Sequence, residues 1–276
     1  MTTVPDEIEV RRVRAGRGAG WIGDGWRTFA ASPGMWVVLT IVWLLISVAL
    51  QMVPLAGMLA GLLVAPILGG GLLLAAADVE SGRELDVGAL FRPVTDDTTR
   101  NPMLVLGGIY LGANMAVMLV GTLLMVVGVL FAVGQSGMQV QPEQIDPSRI
   151  DPAMLYAMGG LAVIAVLLIV TLALLVTILF YFAIPLVAFG RTEPGRAIAI
   201  GTRALLRNWA PLTILGLLYL PLSVLATIPL GLGWLILAPM TIGMWHASFR
   251  DVFPMPPASI DEEAATEPAA SPSSEP

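Results

Sequence analysis

Long apolar blocks separated by short polar stretches run through the chain, and their lengths predict its elements. Residues 35–53 and 55–79 are nearly free of charge and flank a turn at Pro54 and Gly57. Two longer runs, 103–133 and 153–189, exceed the ~20 helical residues that cross a ~30 Å hydrocarbon core, so tilt or protrusion must absorb the excess. A final pair, 211–228 and 231–249, meets at Pro229. The pattern predicts an all-α integral membrane protein of six spans in three hairpins. The transmembrane domain covers 21–253, between a basic segment at 1–20 and an acidic tail at 254–276 whose Pro, Ala, Ser and Glu content predicts disorder.

Between the blocks lie shorter amphipathic stretches. Ile22, Trp26 and Phe29 fall at i, i+4 and i+7 while Asp24, Arg27 and Thr28 share another face, which predicts an interfacial helix ended by Ser32-Pro33. Arg196, Arg203 and Arg207 stand opposite Ile198, Leu205 and Trp209 and predict a second one. A briefer stretch sets Leu85, Leu90 and Phe91 beside Asp86 and Arg92 before a break at Asn101-Pro102. Asp151-Pro152 supplies an N-cap and an N1 proline for the fourth span.

Charge orients these elements. Short loops retained in the cytoplasm are enriched in Lys and Arg, and six spans place 13 of the 14 arginines on one side, with Arg149 alone on the other. Both termini are therefore expected in the cytoplasm. The first twenty residues hold no apolar run, so the first span is expected to act as the targeting signal for a bacterial inner membrane.

Composition narrows the chemistry. With 57% apolar and 12% charged residues, the chain departs from a soluble domain. Zero cysteines remove disulfides, thiolate metal sites and thiol catalysis, and His246 as sole histidine removes a multi-histidine metal site within one chain. No nucleotide-binding glycine loop or nucleic-acid surface is legible. No cofactor, metal or nucleic-acid partner is expected.

The segment Val64-Ala65-Pro66-Ile67-Leu68-Gly69-Gly70 through Asp78-Val79 aligns with Leu237-Ala238-Pro239-Met240-Thr241-Ile242-Gly243 through Asp251-Val252. A fainter third copy pairs Arg100-Asn101 and Leu106-Gly107-Gly108-Ile109-Tyr110-Leu111 with Arg207-Asn208 and Leu215-Gly216-Leu217-Leu218-Tyr219-Leu220. Gly20-Trp21-Ile22-x-Asp24-Gly25-Trp26-x-x-Phe29 with Pro33 and Trp36, Pro185 to Phe189 leading to Arg207-Asn208-Trp209, and His246-Ala247-Ser248-Phe249-Arg250-Asp251-Val252-Phe253 together resemble an uncharacterised bacterial inner-membrane family of the BPSS type. More loosely they are similar to the membrane domain attached to some glycerophosphoryl diester phosphodiesterases. The resemblance spans roughly residues 18–253 and implies six helices and an inner-membrane address, with no settled activity. Tyrosine is common in the closing motif where this chain has His246.

The candidate residues are chosen by cost. No ionisable group falls near a span centre, where charge is expensive, while Asp78, Arg250 and Asp251 lie at predicted span ends. Asn114, Gln51, Thr171 and Thr177 are polar groups within spans, and hydrogen bonding between helices is their ordinary use. Gly57-x-x-x-Gly61 and Gly108-x-x-x-Gly112 permit close helix approach, within or between chains. Pro66, Asn114 and Pro239 are the helix-kink or transport candidates; Arg27, Arg196, Arg203 and Arg207 are the lipid-headgroup candidates, expected to form a basic collar anchored by Trp26 and Trp209. His246 is expected as an interfacial aromatic, and Glu143, Asp146 and Asp151 as solvated carboxylates. The leading expectation is a non-enzymatic inner-membrane protein engaging anionic lipid, a second copy or another membrane protein. A transporter or permease for a small solute or lipid is the alternative.

Overall fold

A computed structural model describes residues 8–136 and 152–254. Among these residues the chain is all helical. In order, the helices are α1 (Arg17–Ala31), α2 (Pro33–Gln51), α3 (Ala56–Glu80), a 3-10 turn (Val87–Phe91), α4 (Arg92–Thr95), α5 (Asp97–Ser136), α6 (Pro152–Phe180), α7 (Ala183–Ala188), α8 (Pro194–Arg207), α9 (Trp209–Thr227) and α10 (Trp234–Val252). Five stretches are long and apolar enough to cross a membrane: Pro33–Gln51, Ala56–Glu80, Asp97–Gly128, Ala162–Ala188 and Trp209–Thr227. Helix α10 has sufficient length at 19 residues, but its last turns carry His246, Ser248, Arg250 and Asp251.

The sixth run is shifted to Trp234–Val252, and two larger differences from the sequence expectation have a local cause. Helix α5 starts well before Pro102, because the Asp96 carboxylate accepts from the Thr98 backbone N–H (2.8 Å) and hydroxyl (2.6 Å) and so caps a turn ahead of Asn101-Pro102. Pro102 then sits in the second turn, where its missing N–H removes only one intrahelical bond. The fourth apolar run is broken at Tyr181 and Phe182, between α6 and α7. The Tyr181 carbonyl would bond the N–H of residue 185, which is proline. The Trp245 indole N–H supplies the missing donor at 2.6 Å.

Burial is concentrated at one end of α2, α3 and α5. The buried positions lie at the start of α2 (Trp36, Leu39), the second half of α3 (Pro66 to Asp78), the start of α5 (Thr99, Met103, Leu106) and all of α7. Helix α10 adds buried positions along most of its length, from Leu237 to Val252. We call this end the base. Helices α3 and α10 touch each other and stand between two apolar clusters. One cluster joins Ile67 and Leu73 to α5, α7, α8 and Phe253; the other joins Leu68, Leu72 and Met244 to α1, α2 and the 3-10 turn. The opposite ends carry exposed Leu45 and Val48 on α2, Leu119 and Leu123 on α5, and Ile164 and Leu167 on α6.

Candidate functional site

Three short elements pack across the base: α1 against α10 and α9, the 3-10 turn and α4 against α3, and α8 against α7 and α6. Each crossing is made close by glycine. A Cβ on Gly25 would stand 2.5 Å from the Met240 carbonyl oxygen, and one on Gly201 3.1 Å from the Ala183 nitrogen. Gly71 faces the backbone of Leu90 in the same way.

The glycines of α1 overturn its expected facing. Gly18 presses on the Pro211 carbonyl and Gly25 on Met240, which turns Trp21, Asp24 and Phe29 inward and leaves Trp26 52% exposed. Asp24, expected on the polar face, is therefore buried beneath Arg17 (2.7 Å) and Arg27. Arg27 is well exposed and pairs with Asp24. Arg17 also donates from Nε to Asp251 Oδ2 at 2.6 Å, an oxygen that accepts the Trp21 indole N–H at 2.9 Å. The hydrogen bond to Asp251 raises the Arg17 pKa further, so this cation persists at any accessible pH.

Asp78, at the end of α3, is also buried and is met by Arg83 (2.6 Å) and by Arg92 of α4. The two closing Asp-Val pairs of the sequence alignment thus each receive an arginine from the start of a packing element, Arg92 for Asp78 and Arg17 for Asp251. Glu80 pairs with Arg250 and lies 3.4 Å from His246 Nδ1. His246 is buried beside Phe189 instead of facing an interface.

A further juxtaposition was invisible in the sequence. Asn208 accepts the Val13 N–H at its Oδ1 (2.7 Å), donates from Nδ2 to the Arg11 carbonyl (3.0 Å), and also bonds the Ala204 carbonyl. The Arg11 N–H donates to the Val252 carbonyl at 2.8 Å. Ile8, Val10 and Val13 meanwhile pack against the apolar cluster beneath. The N-terminal arm is thereby strapped next to the end of α8, which brings the backbone of Arg11 to Val13 beside Asn208, the neighbour of Arg207; Arg11, Arg12 and Arg14 are exposed, as are Arg196, Arg203 and Arg207. Arg191 binds the Phe253 carbonyl (3.1 Å) and Pro254 carbonyl (3.4 Å) close by, and burial lowers its pKa. The sequence signal for this was the Arg207-Asn208 pair beside a basic N-terminus, but no spacing rule joins residues 195 positions apart.

On α8 the inward residues are Ala197, Ile200, Gly201 and Ala204, one step round from the expected stripe. Ile198 and Leu205 are half-buried, while Leu206 and Trp209 are 68% and 64% exposed. Apolar and aromatic surface is thus left beside the arginines.

The kink candidates belong to the packed interior. Pro66 and Pro239 are buried within α3 and α10. Asn114 donates to the Tyr110 carbonyl of its own helix at 2.9 Å. Gly57 serves the turn after α2, its Cα against the Leu50 carbonyl, whereas Gly61, Gly108 and Gly112 have open space around them. No group of three or more acidic or histidine side chains suited to a metal occurs among the described residues. Glu143, Asp146 and Asp151 lie outside the described residues, as does residue 255 onward.

These features define a helical protein with several helices apolar enough to cross a membrane and a charged, packed base at one end. Compared with protein-family models, curated proteins and solved structures, the chain matches none.

Proposed function

We propose that this chain is a non-enzymatic, multi-pass inner-membrane protein whose arginine face engages anionic lipid headgroups. In this reading it has six spans in three hairpins, both termini are cytoplasmic, and α10 serves as the sixth span. The observation that carries the reading is the strapping of Arg11, Arg12 and Arg14 beside the α8 arginines, next to exposed Leu206 and Trp209. Cations flanked by apolar and aromatic surface suit a headgroup layer: the apolar groups enter the interface while guanidiniums reach phosphate. Each basic residue near an anionic membrane surface adds about 1 kcal/mol of attraction, so several on one face outweigh any single contact. A second copy or another membrane protein would need a partner surface that nothing on this face specifies. The family resemblance agrees with the membrane address.

The transport alternative draws on Pro66, Asn114 and Pro239. Asn114 spends its amide on its own helix and both prolines lie in packed interior, so these residues give it little support.

The test replaces Arg196, Arg203 and Arg207 by glutamine in nanodiscs and reads retained phosphatidylglycerol and cardiolipin by native mass spectrometry. Loss of retention is expected; equal retention by parent and variant removes the lipid reading. Cysteines placed singly at Gln139 and Ser273 check topology first, and labelling from opposite faces is the expected result.

A further inference from the structure

Helix α10 delivers the chain into a basic corner of the molecule. Val252, Phe253 and Pro254 leave α10 between the N-terminal arm and Arg191: the Val252 carbonyl accepts the Arg11 N–H, and the next two carbonyls accept the Arg191 guanidinium. The segment beyond Pro254 therefore starts at the Arg191 guanidinium and beside the backbone of the basic N-terminal arm. That segment, residues 255–276, holds Asp261, Glu262, Glu263, Glu267 and Glu275 and no basic residue.

We propose that this acidic segment docks in cis on the arginine face formed by the N-terminal arm and α8, and that it competes there with anionic headgroups. Reach permits it. Asp261 is seven residues beyond Pro254, a span of up to about 25 Å for extended chain. Helix α8, with 14 residues, is about 21 Å long. The acids at 261–267 can therefore meet any of Arg196, Arg203 and Arg207. Charge complementarity supplies the attraction: among the described residues, the N-terminal arm and residues 191–207 hold Arg11, Arg12, Arg14, Arg191, Arg196, Arg203 and Arg207 against Glu9 and Glu193. A single exposed ion pair is weak. Tethering compensates, since a short linker holds the segment at an effective concentration on the order of millimolar. The attraction is screened by salt over a Debye length of about 8 Å at physiological ionic strength, so bound and released states lie close in energy and anionic lipid can shift them. A segment of this chain fits better than an unrelated acidic partner because it is delivered to the site by the fold.

This inference rests on the lipid reading above for its competitor, but docking itself does not, and the experiment separates them. The chain has no native cysteine, so Ala199→Cys, on the exposed side of α8 between Arg196 and Arg203, and Ala264→Cys provide a clean spin-label pair. In full-length protein in zwitterionic nanodiscs, a short-distance population is expected by double electron–electron resonance. Replacing Arg196, Arg203 and Arg207 by glutamine should remove it, and adding phosphatidylglycerol to the disc should deplete it. A distribution unchanged by the arginine replacements overturns docking, and a short distance that arises only on mixing singly labelled chains overturns docking in cis. A second variant needs no change in the described fold: Asp261→Asn with Glu262, Glu263, Glu267 and Glu275→Gln should retain at least about threefold more phosphatidylglycerol, as expected if the tethered competitor is lost. Unchanged retention in that variant, while the arginine replacements lower it, overturns competition. If the arginine replacements leave lipid retention unchanged but abolish the short distance, the lipid reading falls and docking stands.

Discussion

The base and the opposite ends of the long helices are built from different materials. In the base, backbone meets backbone across glycines, carboxylates are buried under arginines, and aromatic rings interlock, as in Phe182 against Phe253 at 5.4 Å and Phe189 stacked on Phe249. At the other end α2, α5 and α6 present leucine, valine and isoleucine outward with few partners. In hydrocarbon such side chains gain little by leaving lipid for one another, because lipid tails are as apolar as leucine. Contact there is made by α5 against α6, where Gly121 meets Ile169. Charge, backbone polarity and glycine contact hold the molecule at its base, and that is also where its chemistry lies.

The sharpest way to break this contrast is to place the same substitution in both regions. Gly25→Val in the base forces a side chain into the Met240 backbone and should lower stability by about 3 kcal/mol or prevent folding, a cost at the upper end of overpacking. Gly112→Val, with open space around it, should stay within about 0.5 kcal/mol, as uncrowded surface changes do. Thermal unfolding in detergent, read by size-exclusion recovery, checks both; equal losses would refute the division. Asp78→Ala comes next. It leaves Arg92 and Arg83 facing each other at a site built for a carboxylate, and should cost about 1–3 kcal/mol once exposure of the guanidiniums is discounted. Asn114→Ala in α5 should be close to silent in the same assay.

Asn208→Ala should act locally. Its loss releases the N-terminal strap, so trypsin is expected to cut at Arg11, Arg12 or Arg14 at least about tenfold faster, the factor for 1.4 kcal/mol of lost closing energy, while α2 to α10 stay intact. The smallest effect concerns pH. Hydrogen bonds from the Thr98 hydroxyl and N–H lower the Asp96 pKa below its ordinary value. The cap at the start of α5 is therefore fully present above the ordinary aspartate range and is lost as pH falls through the depressed value. Amide exchange at Thr98 and Thr99 should accelerate only there, and Asp96→Ala should abolish the pH dependence.

The arms were legible in the sequence because hydropathy alone specifies them: a charge-free run of sufficient length needs no partner to be recognised. The base was legible only in outline. Arginine placement marked where it lies, and Asp78-Val79 with Asp251-Val252 marked its two carboxylates, but not that Arg92 and Arg17 would cover them. The facing of α1 was misread because Gly18 and Gly25 count as neutral in an amphipathic pattern, whereas in the fold they are the contact surface. Tyr181 gave no periodic signal either, since its free carbonyl is satisfied from 64 residues away by Trp245. Of the site, the α8 arginines could be found from spacing. The arm that carries Arg11, Arg12 and Arg14 is brought beside them by Asn208 and Val252, contacts that no sequence spacing signals.

The contact between α1 and α10 has a consequence in time. Trp21 and the Asp251 carboxylate it binds are 230 residues apart, so the partner of α1 is made long after it. At about 5–20 residues per second of synthesis, α1 waits roughly 10–45 s for it. Throughout that interval Trp21 and Asp24 have no α10 to cover them, and α1 must be sheltered by the membrane surface or by a helper. Helix α10 is then also the latch: a chain that stalls before Asp251 leaves α1 open, a visible mark that distinguishes a stalled chain from one that has closed its base.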